Sequence, residues 1–258
     1  MMHAVFTIVF ALLVWWLGTS LVLIVGRLAS GDGRLGKAIC VALYGLSLYG
    51  VATTQQLAGV HPAFASFTLA VILWGTLEFS YLRGWLTGPV PLACPPGLSL
   101  GKRFVAGIRT SLHHELAVLA TVALLLAFSV TAVTQIGLAT FVLLWLMRWS
   151  AKLNLFLGVR NFNTEMLPAN MRYLSTYVRK ASMNWLFPVS VVAGGAALYY
   201  WVKPLLGWQL TDLAQVESLL LATLMVLALF EHVLLMVPLS DRWLWSWAMA
   251  EQNKRMES

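Results

Sequence analysis

The segment RWSAKLNLFLGVRNFNTEMLPANMRYLSTY, residues 148–177, contains the residues that decide the fold. It begins inside an apolar run, where Arg148 and Lys152 stand four residues apart and therefore share one face of a helix. A cation in the middle of a membrane-spanning helix costs about 2.5–3.5 kcal/mol, and less near the interface. We therefore expect both cations to face protein and to lie beside acidic side chains from other helices.

The rest of the chain is mostly apolar. Of its 258 residues, 60% are hydrophobic and 10% are charged, and the mean hydropathy is +0.79, whereas soluble domains carry about 25% charged residues. These values predict an all-α polytopic membrane protein that forms a single membrane domain. The net charge of +7 does not indicate nucleic-acid binding, because the basic residues lie in short loops, where they reflect topology and contact with anionic lipid.

Apolar runs of spanning length predict the transmembrane helices. The first run lacks the basic start and the cleavage site of a signal peptide, so we expect it to be retained as a helix. Residues 84–103 are rich in Pro and Gly and are predicted to form a loop. The seven expected spans are about 4–26, 36–58, 63–83, 110–132, 136–157, 183–202 and 213–237, and a cytoplasmic amphipathic segment is expected at about 168–181.

The lysines and arginines between the spans indicate the orientation of the chain. Outside the spans, only Lys203 falls on one side of the membrane. The N-terminus is therefore expected in the periplasm and the C-terminus in the cytoplasm. The cations on the expected cytoplasmic side are Arg27, Arg34, Lys37, Arg83, Lys102, Arg103, Arg109, Arg160, Arg172, Arg179, Lys180, Arg242, Lys254 and Arg255.

Ionisable residues of four different spans are expected at the same depth. With a rise of about 1.5 Å per residue, the acids, bases and histidines of these spans all reach the cytoplasmic half of the bilayer. We interpret them as one polar pocket in which the acids neutralise the two cations. The alternatives are a structural ion-pair network and snorkelling of the outermost members to the interface. The expected pocket residues are Glu78, His114, Glu115, Arg148, Lys152, Glu231 and His232.

The same residues suggest two kinds of cofactor. Neutral imidazole can ligate the iron of haem or the magnesium of a chlorophyll, so bacteriochlorophyll, a precursor of it or haem is one hypothesis. A carboxylate-bridged di-metal centre is a second, but adjacent residues on a helix point about 100° apart, unlike the ExxH spacing of such centres. No motif of a known enzyme class occurs, and no catalytic residue is assigned. The candidate ligands are His113, His114, His232 and Glu231, and the sequence does not decide between His113 and His114.

The polar stretch after the fifth span is a candidate docking loop for a partner at the cytoplasmic face. Its side chains could bind a partner by hydrogen bonds, or they could cap the backbone at the end of their own helix. The residues concerned are Asn154, Arg160, Asn161, Asn163 and Glu165.

The run KLNLFLGVRNFNTEMLP at 152–168 resembles the PuhE family of photosynthetic complex assembly proteins of phototrophic purple bacteria. The likeness extends over nearly the whole chain, including Glu78, the His113–Glu115 segment and the Glu231–His232 pair. It implies a multi-pass protein of the bacterial inner (intracytoplasmic) membrane with a role in building the photosynthetic apparatus, and we interpret the protein as an assembly factor rather than an enzyme.

The implied partners are reaction-centre or core-antenna subunits and other assembly factors, and the implied role includes coupling bacteriochlorophyll supply to assembly. The alternative is a membrane enzyme of bacteriochlorophyll biosynthesis with a metal or tetrapyrrole in the same pocket.

Overall fold

The computed structural model describes residues 2–28, 33–162, 164, 167–207 and 210–237, with the backbone alone for residues 2 and 23–28. Within these ranges the regular elements are all helical. The α-helices are α1 (Met2–Leu28), α2 (Arg34–Thr54), α3 (Val60–Leu82), α4 (Leu100–Arg109), α5 (Leu112–Ser129), α6 (Ile136–Leu157), α7 (Leu186–Leu205) and α8 (Asp212–Met236), and a 3₁₀ helix covers Ala169–Tyr177.

Seven of these helices are long and apolar enough to cross a membrane, namely all except α4. The expectation of an all-α fold with seven membrane-spanning helices is therefore confirmed. The orientation is still a prediction from the loop cations. We call the end of the bundle where α3 and α6 finish and α5 and α7 begin the basic end, because most loop cations lie there.

The interior of the bundle is organised around α3, which packs against α1, α2, α5, α6 and α8. Large apolar side chains fill the space between these helices, and Phe67 and Phe141 are fully buried. At the start of α6, a Cβ on Gly137 would lie 2.6 Å from both Ser66 Oγ and Val51 Cγ1. This glycine therefore allows α6 to approach α2 and α3 closely, as small residues do between membrane helices.

The fourth span differs from the expected range of 110–132. The structure has a separate short helix, α4, within residues that were partly assigned to a loop, and the span α5 begins only at Leu112. The break arises because the preceding loop packs on the α4–α5 junction. The Val90 N–H donates to the Arg109 carbonyl at 3.3 Å, and a Cβ on Gly88 would lie 2.1 Å from that same oxygen.

The amphipathic segment expected at 168–181 is shorter and tighter than a regular α-helix. Its 3₁₀ helix ends at Tyr177, and the following residues run beside the chain that leaves α6. The Val159 N–H donates to the Arg179 carbonyl, and the Ala181 N–H donates to the Val159 carbonyl, both at 3.0 Å. These backbone bonds to a distant segment replace the local bonds that a longer helix would need.

Candidate functional site: a buried charge cluster

The first ion pair of the site joins α6 to α3. Arg148 Nη2 lies 3.0 Å from Glu78 Oε2, and the side chain of Glu78 is only 12% exposed. On the other side of this carboxylate, His114 Nε2 of α5 lies 3.5 Å from Glu78 Oε1. Glu78 therefore sits where three helices meet, and it neutralises the deeper of the two cations on α6.

The second ion pair joins α6 to α5. Lys152 Nζ lies 2.6 Å from Glu115 Oε1, and Trp149 Nε1 donates a hydrogen bond to Glu115 Oε2 at 2.7 Å. Both oxygens of Glu115 are thus occupied by donors from one turn of α6. Although Arg148 and Lys152 share a helix face, each has an acid from a different helix. We call Glu78, His114, Glu115, Arg148 and Lys152 together the charge cluster.

Tyr81 and the loop after α3 hold the charge cluster in place. Tyr81 follows Glu78 by one helical turn, and its ring lies 4.8 Å from the His114 ring, centroid to centroid. Lys152 Nζ lies 5.2 Å from the centre of the same tyrosine ring, within the range of a cation–π contact. The backbone N–H of His114 donates to the Thr87 carbonyl at 3.0 Å, so the loop fixes the start of α5.

The charge cluster keeps some unused hydrogen-bonding capacity. His114 Nδ1, Glu78 Oε1 and Arg148 Nε are buried and have no hydrogen-bond partner in the described part of the chain. An unsatisfied buried polar atom costs about 1–3 kcal/mol. Such atoms are therefore positions where a bound polar group would gain binding energy.

His232 lies apart from the charge cluster, in a hydrogen-bond chain that joins α6, α7 and α8. Its Nδ1 lies 2.8 Å from the Ala228 carbonyl oxygen, which can only accept, so in neutral imidazole Nδ1 carries the proton. Its Nε2 then accepts from the Ser150 hydroxyl at 2.9 Å. Ser150 Oγ in turn lies 2.9 Å from Ser190 Oγ, and Asn154 Nδ2 donates to Ser190 Oγ at 3.0 Å.

Glu231 and His113 both lie outside the buried cluster. Glu231 is exposed on α8 and makes no ion pair within 4.0 Å in the ranges that the structure describes, although it interacts electrostatically with Arg148. The Arg148 side chain is 39% exposed. His113 is exposed and His114 buried, because adjacent residues on α5 point in different directions.

The buried histidines do not fit an axial-ligand role in this conformation. Both ring nitrogens of His232 are hydrogen-bonded, and His114 is 1% exposed and packed against Tyr81. Among the candidate ligands, His113 is the exposed histidine that a tetrapyrrole could reach from outside the bundle. A di-metal centre lacks a ligand set, since no three His, Cys, Asp or Glu side chains in the described ranges are placed to hold a metal ion.

The candidate docking loop is largely occupied by contacts within the protein. Asn154 is fully buried. Asn161 Nδ2 donates to the Leu234 carbonyl at 2.9 Å and also to the Val237 carbonyl, so it caps the end of α8 rather than its own helix. Arg160 is exposed. Asn163 and Glu165 lie outside the described residues.

Sequence reasoning missed several residues that complete these networks. Asn184 donates to the Gly158 carbonyl at 2.7 Å, and its side-chain oxygen caps the first turn of α7. At the other end of the bundle, the backbone carbonyl of the fully buried Gln55 accepts the N–H groups of Val133 and Thr134 in the α5–α6 turn, and the Thr134 hydroxyl donates to Glu217. A polar residue beside a span end was the available signal for Asn184, whereas the Gln55 bonds use the backbone and carry no side-chain signal.

Comparison with known proteins places the chain in a family. The family model described as "Protein of unknown function (DUF3623)" matches residues 1–256. A relative from Rhodobacter capsulatus, described as an uncharacterized 30.4 kDa protein in the puhA 5′ region, is 36% identical over 244 residues, which cover 92% of this chain and 87% of the relative. No solved structure matches. The chain therefore belongs to the DUF3623 family.

Proposed function

We propose that this protein is an assembly factor for the photosynthetic reaction centre and its core antenna in the bacterial inner (intracytoplasmic) membrane. The observation that carries the proposal is the relative in the puhA 5′ region, which agrees with the resemblance to the PuhE family. The resemblance to the PuhE family implies a protein that is encoded with the H subunit of the reaction centre. The membrane-spanning fold supports the proposal, because such a factor works where the subunits and the pigment insert.

The charge cluster supplies the charged groups that this role requires. Its ion pairs join α3 and α5 to α6, while Arg148 is partly exposed and interacts electrostatically with the exposed Glu231 of α8. A charged pair of this kind inside the membrane is costly and commonly marks a functional site. We infer that a polar group of a partner helix or of a pigment precursor contacts the exposed parts of Arg148 and Glu231.

The competing function is a membrane enzyme of bacteriochlorophyll biosynthesis acting at the same cluster. The observation in its favour is that, among the described residues, buried His114 Nδ1 has no hydrogen-bond partner and buried Glu78 Oε1 has only the long 3.5 Å contact with His114 Nε2. The tight packing of His114 against Tyr81 speaks against a tetrapyrrole at this position. Partner capture and cofactor content therefore separate the two functions.

The test is purification of the affinity-tagged protein in mild detergent from phototrophically grown cells. The assembly function predicts that reaction-centre or core-antenna subunits co-purify, and that Glu231→Gln weakens this capture. Asp212→Asn, at the opposite end of the same helix, is the matched control and retains it. A stoichiometric Soret band or bound metal without any of these subunits would favour the enzyme and contradict the assembly function.

A further inference from the structure

A cavity of about 230 Å³ lies at the basic end, between the end of α3, the loop that follows it and the 3₁₀ helix. Water occupies roughly 30 Å³ per molecule, so the cavity has room for a group larger than a single water. Pockets for drug-sized ligands start at about 300 Å³. The space therefore suits a small polar group rather than a tetrapyrrole or a nucleotide.

Among the residues that the structure describes, those that line the cavity offer one positive charge and several hydrogen-bonding groups, and none of them is a carboxylate. Arg83, Thr87, Asn170 and Tyr173 supply the polar side chains. A guanidinium has five donors in a planar fork that matches phosphate oxygens, so Arg83 can serve a ligand in addition to its other contacts. Lining of this type favours an anion with several acceptor oxygens.

The hydroxyl of Tyr173 is available as a donor. Its hydrogen-bond partner in the structure is the thioether sulfur of Met171 at 3.8 Å, and thioether sulfur is a weak acceptor. Burial, followed by the neighbouring Tyr177, raises the pKa of Tyr173 above its ordinary value. The phenol therefore carries its proton at neutral pH and would prefer an anionic oxygen to the sulfur.

The backbone preserves the space for such a group. Gly84 follows α3 with φ +73°, a conformation that side chains rarely adopt, and a Cβ there would lie 2.9 Å from Asn170 Nδ2. Asn170 Nδ2 also donates to the Leu82 carbonyl at 3.1 Å, which ties the 3₁₀ helix to the end of α3. The wall of the cavity is therefore formed by joined elements rather than by a loose loop.

The cavity lies at the depth of lipid phosphates. At about 1.5 Å per residue, the 23 residues of α3 span about 34 Å, slightly more than the roughly 30 Å hydrocarbon core. The end of α3 therefore reaches the headgroup layer. Trp85, which is typical of that layer, lies 5.6 Å from the Arg83 guanidinium and 5.8 Å from Lys37 Nζ.

We propose that this cavity is a phosphate-binding site that holds the headgroup of an anionic phospholipid, with Arg83, Thr87 and Tyr173 as its donors. Inorganic phosphate shares this chemistry and could enter from the aqueous side, so the test separates the two sources. The loop that lines the cavity also contacts the charge cluster, because the Thr87 carbonyl accepts the His114 N–H. A bound headgroup would therefore stabilise the start of α5.

The test uses the full-length protein in nanodiscs that contain phosphatidylglycerol and phosphatidylcholine, with native mass spectrometry to count retained lipids. Thr87→Val and Tyr173→Phe are nearly isosteric and remove only hydroxyls, so they should fold even if Arg83→Gln does not. Lys102→Gln is the charge control, since Lys102 is exposed on α4 and does not line the cavity.

We expect selective retention of phosphatidylglycerol by the wild type and by Lys102→Gln, and about tenfold weaker retention by each of the two hydroxyl variants, as loss of one charge-assisted hydrogen bond predicts. A second outcome is that millimolar inorganic phosphate displaces the lipid and that both hydroxyl variants weaken phosphate binding. That result would support a phosphate-binding site and would identify its ligand as soluble phosphate rather than a lipid headgroup. Unchanged retention in both hydroxyl variants, or equal retention of phosphatidylcholine, overturns the proposal. The outcome does not depend on whether photosynthetic subunits co-purify.

Discussion

Removing the charge of Glu78 should destabilise the protein more than removing that of any exposed acid. At the observed 3.0 Å, two unit charges attract by about 5–6 kcal/mol at an effective dielectric constant of about 20. Because the Arg148 side chain is 39% exposed, solvent screens part of this attraction. We therefore expect Glu78→Gln to lower the free energy of unfolding by about 2–4 kcal/mol, near the 3–5 kcal/mol typical of a broken buried pair.

The double variant Glu78→Gln/Arg148→Gln should recover most of this loss. Replacing both members of a buried ion pair by neutral groups is often close to neutral, because no charge is then left without a partner. The assay is equilibrium unfolding in mixed dodecyl maltoside and SDS micelles, followed by the fluorescence of the 12 tryptophans. Glu231→Gln is the control, and its effect should stay below about 1 kcal/mol, since Glu231 is exposed.

The double-mutant cycle should give a coupling free energy of at least about 1.5–3 kcal/mol between Glu78 and Arg148, because it equals the recovered part of the Glu78→Gln loss plus the cost of Arg148→Gln alone. Single-variant effects that add within about 0.5 kcal/mol would refute the reasoning, because residues in contact are expected to couple and independent ones are not. Additive effects would mean that a group other than Glu78 mainly neutralises Arg148.

Three destabilising substitutions, with Gly101→Ala as a control for Gly88→Ala, test the packing around the site by the same unfolding assay. Gly88→Ala should cost about 1–3 kcal/mol or more, because its Cβ would meet the Arg109 carbonyl oxygen at 2.1 Å. Gly101→Ala should stabilise α4 by about 0.5–1 kcal/mol, because beyond its own helix backbone a Cβ there would lie more than 4 Å from every described residue. Asn161→Ala should cost about 1–2 kcal/mol through the lost caps on α8. Ser150→Ala should cost about 1–3 kcal/mol by leaving His232 Nε2 without a hydrogen-bond donor. If Gly88→Ala, Asn161→Ala or Ser150→Ala causes no measurable loss of stability, the structural contact on which that prediction rests is contradicted.

The sequence predicted the number of spans and the common depth of the charges for direct physical reasons. Span length follows from bilayer thickness, and depth follows from the rise per residue. The sequence alone therefore places Glu78, Glu115, Arg148 and Lys152 at one level. Which acid neutralises which base depends on the rotation of each helix about its axis, and this rotation is set by packing.

The α5 and α8 helices illustrate why that rotation was not predictable. Both are apolar on nearly every side, so hydrophobic periodicity does not mark an inward face. Whether His113 or His114 faces inward, and why Glu231 and His232 both lie outside the charge cluster, therefore depends on contacts with neighbouring helices. The α4 helix was missed because the loop before it is rich in proline and glycine, while the reason for its end at Arg109 is the packing of Gly88.

We propose that the charge cluster serves assembly and does more than hold helices together. The most direct test expresses the Glu78→Gln/Arg148→Gln variant in a strain that lacks the chromosomal copy, with Lys203→Gln as the control. At wild-type protein levels in the membrane, we predict that the double variant accumulates as little reaction-centre and core-antenna absorption in the near infrared as the strain without the protein. Full accumulation of these complexes by the stable double variant would contradict the account.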